Sequence, residues 1–401
     1  MTEFFDDLET RSADRRAAEQ LDALNAQLQR AADLPGYGAE ISGPLGDLAG
    51  LAALPVLRKG ALLDAQKPGA PLGGFAGPAA GFDHVFQSPG PIYEPGNATR
   101  DWWRFGRFVH AVGIGRGDIV QNCFSYHMTP AGLMFENAAR AVGAAVFPAG
   151  TGQTELQVRA ARDLGTTAYA GTPDYLATIL EAAEAEGADL QITKAAVSGG
   201  ALFPAMRAAY EARGITCLQC YGTADLGHVA YESPAMEGMI IDEGVIVEIL
   251  RPGTGDPVPE GDVGEIVVTT LNPDYPLIRF ATGDMSKILP GESPCGRTNM
   301  RIAGWMGRAD QTTKIKGMFV RPEQVADLGK RLPEAGRIRI EATRQGSSDH
   351  MIVNIETELC EPERYESAVV EVLKLRGEVK LVPPGSLPND GKVIDDTRDY
   401  G

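Results

Sequence analysis

The chain has 401 residues, 43% of them hydrophobic, so it can bury a sizeable interior and its length favours two domains. A formal net charge of −17 argues against a nucleic-acid partner, which requires a basic surface. No apolar run approaches the roughly 18 residues that span a bilayer, and the acidic start is unlike a secretory signal. The five cysteines are scattered, which favours a reducing compartment. We therefore expect a cytoplasmic protein without a membrane partner.

The N-terminal region is interpreted as helical scaffold. Leu21, Leu24 and Leu28 recur at helical spacing among charged residues, which predicts an amphipathic helix within residues 1–35. Residues 48–63 read LAGLAALPVLRKGALL, a pattern typical of two short helices separated by a proline.

Residues 117–201 alternate strand-like and helix-like segments, which predicts a mainly parallel α/β sheet. Tyr126 and His127 follow one of these strands, at the end where α/β folds place ligands. His127 either lines a site there or is a structural histidine, and the sequence leaves both interpretations open. A later strand ends at the turn Gly199-Gly200-Ala201.

Cys217 and Cys220 form a lone CxxC within the apolar strand ITCLQCYG. Side chains alternate along a strand, so the two sulfur atoms face opposite sides, and neither metal binding nor redox chemistry is expected. The strand leads into residues 221–225, which read YGTAD.

Two turns with polar tips lie within residues 275–317. The first is Thr282-Gly283-Asp284, where the glycine lets the backbone bend while the carboxylate projects, and a carboxylate suits a pair of vicinal hydroxyls. The second carries Arg308, whose planar donor fork suits hydroxyl or phosphate oxygens, and the basic strand around Lys314 follows it. Taken singly, each is an ordinary surface turn.

Past residue 310 the pattern changes. Residues 337–342, 351–356 and 378–381 are predicted strands, and residues 322–332 and 361–375 are predicted helices. We therefore expect a large N-terminal domain, residues 1–309, of mainly parallel sheets with a β-rich subdomain, and a small α+β C-terminal domain, residues 310–401.

Four segments together resemble the phenylacetate–CoA ligase family of adenylate-forming enzymes. They are residues 275–284 (YPLIRFATGD), 294–298 (PCGRT), 307–317 (GRADQTTKIKG) and 385–392 (GSLPNDGK). The resemblance implies that ATP activates a carboxylic acid to an acyl-adenylate, and that CoA then takes the acyl group. It also implies a mobile C-terminal domain that moves about Asp310, and a homodimer.

The resemblance further implies a set of site residues. Catalytic roles fall on Lys392, Asp225 and Arg308, and Asp225 would also bind Mg²⁺. Nucleotide contacts fall on Ser88, Gly199, Gly200, Ala201, Tyr221, Gly222, Thr223, Asp284, Arg308 and Lys314. The acyl pocket would include Tyr126, His127, His228 and Tyr231, so an aryl or arylacetic acid is the expected substrate class.

The sequence departs from the family at two places. The Ser/Thr/Gly-rich phosphate loop is replaced by FQSPGPIYEP, in which three prolines remove three backbone donors and Glu94 opposes phosphate unless a metal intervenes. Some family members carry a Cys/His zinc site, but only Cys295 stands at the corresponding turn, so no structural zinc is expected. These departures leave two alternatives open: a non-CoA acceptor for the adenylate, or a non-catalytic nucleotide-binding descendant.

Overall fold

The computed structural model describes residues 3–38, 41, 43–251, 255–309, 312–345, 348–359, 361–388 and 393–398. The chain forms two compact units, Met1–Met306 and Gly307–Gly401. Asp310 and Lys392, which the sequence marks as hinge acid and catalytic lysine, lie outside the described residues.

The described residues form helices of ordinary length, and none is long and apolar enough to cross a membrane. The helices are α1 (Ala13–Ala32), α2 (Lys59–Ala65), α3 (Gly106–Ala111), α4 (Ala131–Ala141), α5 (Thr154–Leu164), α6 (Pro173–Glu186), α7 (Pro204–Glu211), α8 (Pro322–Arg331) and α9 (Pro362–Leu373), with 3-10 turns at Asp7–Thr10, Leu48–Ala53 and Ala79–Gly81.

The strands of the first unit are β1 (Leu57–Arg58), β2 (His84–Ser88), β3 (Ile92–Gly96), β4 (Ile119–Asn122), β5 (Ala145–Phe147), β6 (Ala168–Gly171), β7 (Lys194–Val197), β8 (Thr216–Thr223), β9 (Gly227–Glu232), β10 (Met239–Ile241), β11 (Val245–Leu250), β12 (Gly264–Thr270), β13 (Phe280–Ser286), β14 (Ile288–Leu289) and β15 (Arg301–Ile302). Those of the second unit are β16 (Thr313–Ile315), β17 (Met318–Val320), β18 (Ile338–Gln345), β19 (Ser348–Glu356), β20 (Glu378–Val382) and β21 (Ile394–Asp396).

A nine-stranded sheet organises the first unit, in the order β14-β15-β10-β9-β8-β7-β6-β4-β5. The run β8-β7-β6-β4-β5 is parallel, and β8 pairs antiparallel with β9. Phe108 and Phe135 are buried in the main core cluster that packs against this sheet. The predicted α/β class is confirmed, and the large sheet is mixed, with four parallel pairings followed by four antiparallel ones.

A second sheet, β1-β13-β12-β11, forms the predicted β-rich part of the first unit. Its organising side chain is Arg279, which is 1% exposed. The guanidinium donates to both carboxylate oxygens of Glu248, at 3.0 and 2.9 Å, and to the backbone carbonyls of Ala52, Leu54 and Gly255. A planar fork with five donors suits this arrangement, so the arginine of the YPLIRF run is structural.

The second unit is a small α+β structure. Its sheet has the order β20-β19-β18-β21, and β16 and β17 form a separate hairpin. Ile340, Val353 and Val369 lie in its apolar core, between the sheet and the helices.

Arg279→Met should lower the free energy of unfolding by about 3–5 kcal/mol, because it leaves Glu248 and buried carbonyls without their donor. Arg213→Met, which removes a 2.7 Å pair with Glu184 between partly exposed side chains, should cost less than about 1 kcal/mol. Urea titration followed by circular dichroism measures both, and equal losses would contradict the structural role of Arg279.

Candidate active site

The parallel strands bring several predicted site residues to one edge of the large sheet. Tyr126 and His127 follow β4, the Gly199–Gly200 turn follows β7, and Asp225 follows β8. Because β4, β6, β7 and β8 run parallel, the carboxyl ends of these strands lie at the same edge, where α/β sheets bind ligands.

Asp284 lies on β13 and is 9% exposed. Its Oδ2 accepts a hydrogen bond from the Tyr221 hydroxyl at 2.8 Å, and its Oδ1 accepts one from Trp305 Nε1 at 2.9 Å. A carboxylate oxygen is an acceptor only, so these two donors fix the orientation of the Asp284 side chain. The structure thus joins two predicted nucleotide residues, Tyr221 and Asp284, across two sheets.

The YGTAD segment continues β8 to Thr223, with a register shift between Tyr221 and Gly222, and then turns at residues 224–226. A side chain at Gly222 would place its Cβ 2.7 Å from the carbonyl oxygen of Gly227, so only glycine fits there. Thr223 Oγ1 accepts from the N–H of Leu226 at 3.1 Å. This turn brings Asp225 to the end of the strand.

Asp225 is 4% exposed and is held by Lys59. Lys59 Nζ donates to Asp225 Oδ2 at 2.9 Å, whereas Asp225 Oδ1 has no hydrogen-bond partner among the described residues. Lys59 lies at the start of α2, far away in sequence. The carboxylate is therefore positioned through one oxygen only.

Glu94 lies on β3 beside Asp225 and has no exposed surface. Its Oε2 accepts from Ser88 Oγ at 3.0 Å, and within the described ranges its Oε1 has no hydrogen-bond partner. Burial, together with the charge of Asp225, raises the pKa of Glu94 to about 8. Burial also raises the pKa of Tyr275 well above its usual value, and the charges of Asp225 and Glu94 raise it further, so the phenol lies near both acids.

The rewritten phosphate-loop segment is a tight hairpin. Ser88 pairs with Ile92 across it, so the connection is Pro89-Gly90-Pro91, in which only the glycine has an N–H. The predicted nucleotide residue Ser88 is 6% exposed, and its hydroxyl is directed to Glu94. The hairpin is tied to the loop after β4 by a 2.7 Å bond from the N–H of Gln87 to the carbonyl of Met128.

Two of the predicted acyl-pocket residues lie in that loop. The Tyr126 hydroxyl accepts from Asn122 Nδ2 at 2.8 Å, and burial raises the pKa of this phenol. His127 is exposed beside the hairpin. Both positions are compatible with a role at the sheet edge.

The structure corrects the prediction for His228 and Tyr231. His228 is fully buried among the rings of Phe105, Phe108 and Tyr231, and Tyr231 is 1% exposed. The Tyr231 hydroxyl donates to Glu9 Oε1 at 2.6 Å. Both side chains point into packed protein, so they do not line an accessible pocket.

The remaining predicted residues are distributed over both units. Gly199 and Gly200 form an exposed turn, and Ala201 is half-buried. In the second unit, Lys314 is exposed and lies 5.9 Å from the ring centroid of Phe319. Arg308 is also in that unit and is partly exposed.

Sequence reasoning missed Lys59, the role of Glu94 toward Asp225, and Trp305. Trp305 stands two residues before the Gly307-Arg308 turn, between two of the matching segments, and this proximity was the available signal. Lys59 had no such signal, because its contact with Asp225 spans 166 residues.

Comparison with known proteins identifies the family. The profile of the family described as "AMP-binding enzyme" matches residues 98–272. The phenylacetate-coenzyme A ligase of Aromatoleum evansii is 32% identical over 373 residues, covering 87% of this chain and 83% of that protein. The chain belongs to the phenylacetate–CoA ligase family.

Further relatives agree with this membership. The phenylacetate-coenzyme A ligase of Thermus thermophilus is 29% identical over 360 residues, covering 79% of this chain and 80% of that protein. A crystal structure of 2-hydroxyisobutyryl-CoA ligase with 2-HIB-AMP and CoA aligns with a TM-score of 0.79 at 24% identity, covering 98% of this chain and 92% of that one. The amide bond synthetase McbA from Marinactinospora thermotolerans aligns at 0.54 and 16% identity, covering 77% and 66%. The structural matches establish a shared fold.

Tyr221→Phe should lower the free energy of unfolding by about 1.5–3 kcal/mol, because the buried carboxylate of Asp284 loses a donor. Tyr93→Phe is the matched control, since among the described residues the hydrogen bond at the Tyr93 hydroxyl comes from the neutral amide of Gln87, at 2.8 Å. Its loss should be about 1 kcal/mol. Indistinguishable values in urea titrations would show that Tyr221 does not support Asp284.

The buried His228 should make the fold sensitive to acid. Burial lowers the pKa of His228, although Asp242 lies 3.5 Å from its Nδ1, so below about pH 6.5 the unfolded chain takes up a proton that the folded chain does not. The contribution of His228 to the free energy of unfolding should therefore fall between pH 7.5 and 5.5, by at most about 1.4 kcal/mol per pH unit. Glu94, whose pKa is raised to about 8, acts in the opposite direction, so the contribution of His228 is measured as the difference between the wild type and His228→Gln.

His228→Gln should flatten that dependence, measured by urea titration at each pH. His127→Gln, which changes an exposed histidine, should keep the wild-type slope. A wild-type slope in His228→Gln would refute the assignment.

Proposed function

We propose that this protein is an AMP-forming acid–CoA ligase. The observation that carries the proposal is the family membership over 87% of the chain, supported by the predicted nucleotide residues Tyr221 and Asp284 meeting at 2.8 Å. The named relatives are CoA ligases, which favours CoA over another acceptor.

The reaction has two halves. A carboxylate oxygen of the acid attacks the α-phosphorus of ATP, the bond to pyrophosphate breaks, and an acyl-adenylate forms. The CoA thiol then attacks the acyl carbonyl, loses its proton, and AMP leaves with the electrons of the acyl–oxygen bond. No covalent protein nucleophile is required, so the protein contributes positioning and charge neutralisation.

The chain's own residues supply the positioning. Asp284, which is held in place by Tyr221 and Trp305, accepts hydrogen bonds from the ribose hydroxyls. The ring of Tyr221 stacks on adenine. The open Gly199–Gly200 turn permits close approach of the base, because it has no side chains there. Arg308, Lys314 and Lys392 remain predictions for the phosphate and ribose contacts.

Mg²⁺ is implied by this chemistry, and Asp225 fits it. A buried carboxylate oxygen without a hydrogen-bond partner in the described structure, Asp225 Oδ1, is a suitable hard ligand for this cation. When bound, Mg²⁺ neutralises phosphate charge. The described residues contain no group of three or more His, Cys, Asp and Glu side chains arranged as a metal site, so Asp225 would hold the ion together with solvent or phosphate oxygens.

The substrate class follows from the family and from Tyr126 at the sheet edge. An aryl or arylacetic acid is proposed, with Tyr126 and His127 beside its acyl group. A cytoplasmic location and a homodimer stay predictions.

An acid panel scored by ATP–pyrophosphate exchange tests the function, and absence of exchange with every acid would overturn it. Lys392→Ala should abolish exchange while leaving CoA-dependent consumption of supplied acyl-AMP largely intact, because the lysine acts on the reacting phosphate only in the first half. Lys380→Ala, which removes an exposed lysine of β20, should retain both activities. Retention of both activities in Lys392→Ala would contradict its role.

A further inference from the structure

Glu94 is a buried acid that the proposed mechanism does not use. It has no exposed surface, and the only side-chain hydrogen bond to it among the described residues comes from the neutral Ser88 hydroxyl. A buried carboxylate without a cation or several donors is unfavourable by several kcal/mol, at least about 1–3 kcal/mol for the missing partner alone. Glu94 is therefore stable as a carboxylate only beside a cation, and otherwise it keeps its proton.

Asp225 and Glu94 each have one carboxylate oxygen engaged by a neighbouring group and one that is not. Lys59 occupies Oδ2 of Asp225 and Ser88 occupies Oε2 of Glu94, while Oδ1 and Oε1 have no hydrogen-bond partner in the described structure. The hydroxyl of Tyr275, 2% exposed, is a third such oxygen near the same two acids. When both acids are ionised, the local charge is one ammonium against two carboxylates, so a bound cation would balance the second carboxylate.

The hairpin itself cannot wrap a phosphate as a glycine-rich loop does. Of the turn residues Pro89-Gly90-Pro91, only one has a backbone N–H, and residues 92–96 of the following strand contain no lysine or threonine. What the hairpin directs inward is the carboxylate of Glu94. An acid there is compatible with a polyphosphate only if a cation lies between them.

We propose that Glu94 and Asp225 together hold one divalent cation of the Mg²⁺ type through Oε1 and Oδ1, so that the nucleotide phosphates are bound by way of a cation held on the hairpin and not by hairpin N–H groups. Mg²⁺ is commonly bound by one or two carboxylates with phosphate and water completing the octahedron, which suits this donor set. The inference rests on the proposed function for the identity of the phosphate ligand.

Mn²⁺ serves as the probe, titrated into the full-length protein without nucleotide, acid or CoA and followed by electron paramagnetic resonance of the free ion. The wild type should bind one Mn²⁺, and Mg²⁺ should displace it. Glu94→Gln, which keeps the shape and the Ser88 contact, should weaken binding by about tenfold or more, since even changes outside the direct ligands cost about 10–100-fold.

Glu155→Gln is the control, because Glu155 lies on α5 with a side chain 79% exposed, and it should bind like the wild type. Glu94→Met provides a second variant that suits the apolar surroundings, and it should lose the same affinity. Circular dichroism verifies the fold of each variant.

Equal Mn²⁺ affinities of the wild type and both Glu94 variants would overturn the proposal, as would a wild type that binds no Mn²⁺. Tighter Mn²⁺ binding by Glu94→Gln would also overturn it, and would indicate an acid pair bridged by a proton. The titration requires no substrate. A protein that binds Mn²⁺ through Glu94 but activates no acid would refute the ligase function and not the cation site. A wild type with exchange activity, together with unchanged Mn²⁺ affinity in Glu94→Gln, would refute the cation site and not the ligase function.

Discussion

A carboxylate removed from water must receive hydrogen bonds or a cation, and this constraint determines how the first unit is assembled. Asp284 accepts hydrogen bonds from the phenol of Tyr221 and the indole of Trp305, and Asp225 accepts one from the ammonium of Lys59. Each of these donors comes from an element distant in sequence. The acids therefore join β8 and β13, which belong to different sheets, and align the edge where ligands bind in this type of fold.

The same constraint connects the N-terminal segment to the rest of the unit. Glu9 accepts from Tyr231 and from Arg297 Nε at 2.5 Å, and Glu243 receives bonds from both Arg11 and Arg16. These buried pairs close the region that follows the YGTAD strand. They explain why His228 and Tyr231, which follow that strand, pack into the interior, although their sequence positions had suggested that they line the acyl pocket.

The phosphate region shows how a change of loop chemistry alters the mode of binding. Glycine-rich loops bind anions with backbone N–H groups, and prolines remove those donors while fixing the backbone. Here the hairpin is short, is tied by Gln87 to the loop after β4, and directs Glu94 into the interior. An acid in place of N–H donors reverses the sign of the local charge, which makes a cation the natural intermediary for a polyphosphate.

Local patterns sufficed for the alternating α/β order, because strand and helix periodicity act between near neighbours. The turn predicted at Thr282-Gly283-Asp284 instead lies within β13, where Gly283 has a positive φ. The partners of Asp225 and Asp284 could not be obtained from local patterns. Lys59 and Trp305 reach them across 166 and 21 residues, and His228 on β9 is enclosed by two rings from the start of α3 and one from its own strand. Burial and pairing therefore depend on how the elements are arranged in space. The sequence alone determined the family and the kind of chemistry. The tertiary structure decided which charged groups are neutralised and which acid is left for a cation, because desolvation is a property of the packed fold and not of the local sequence.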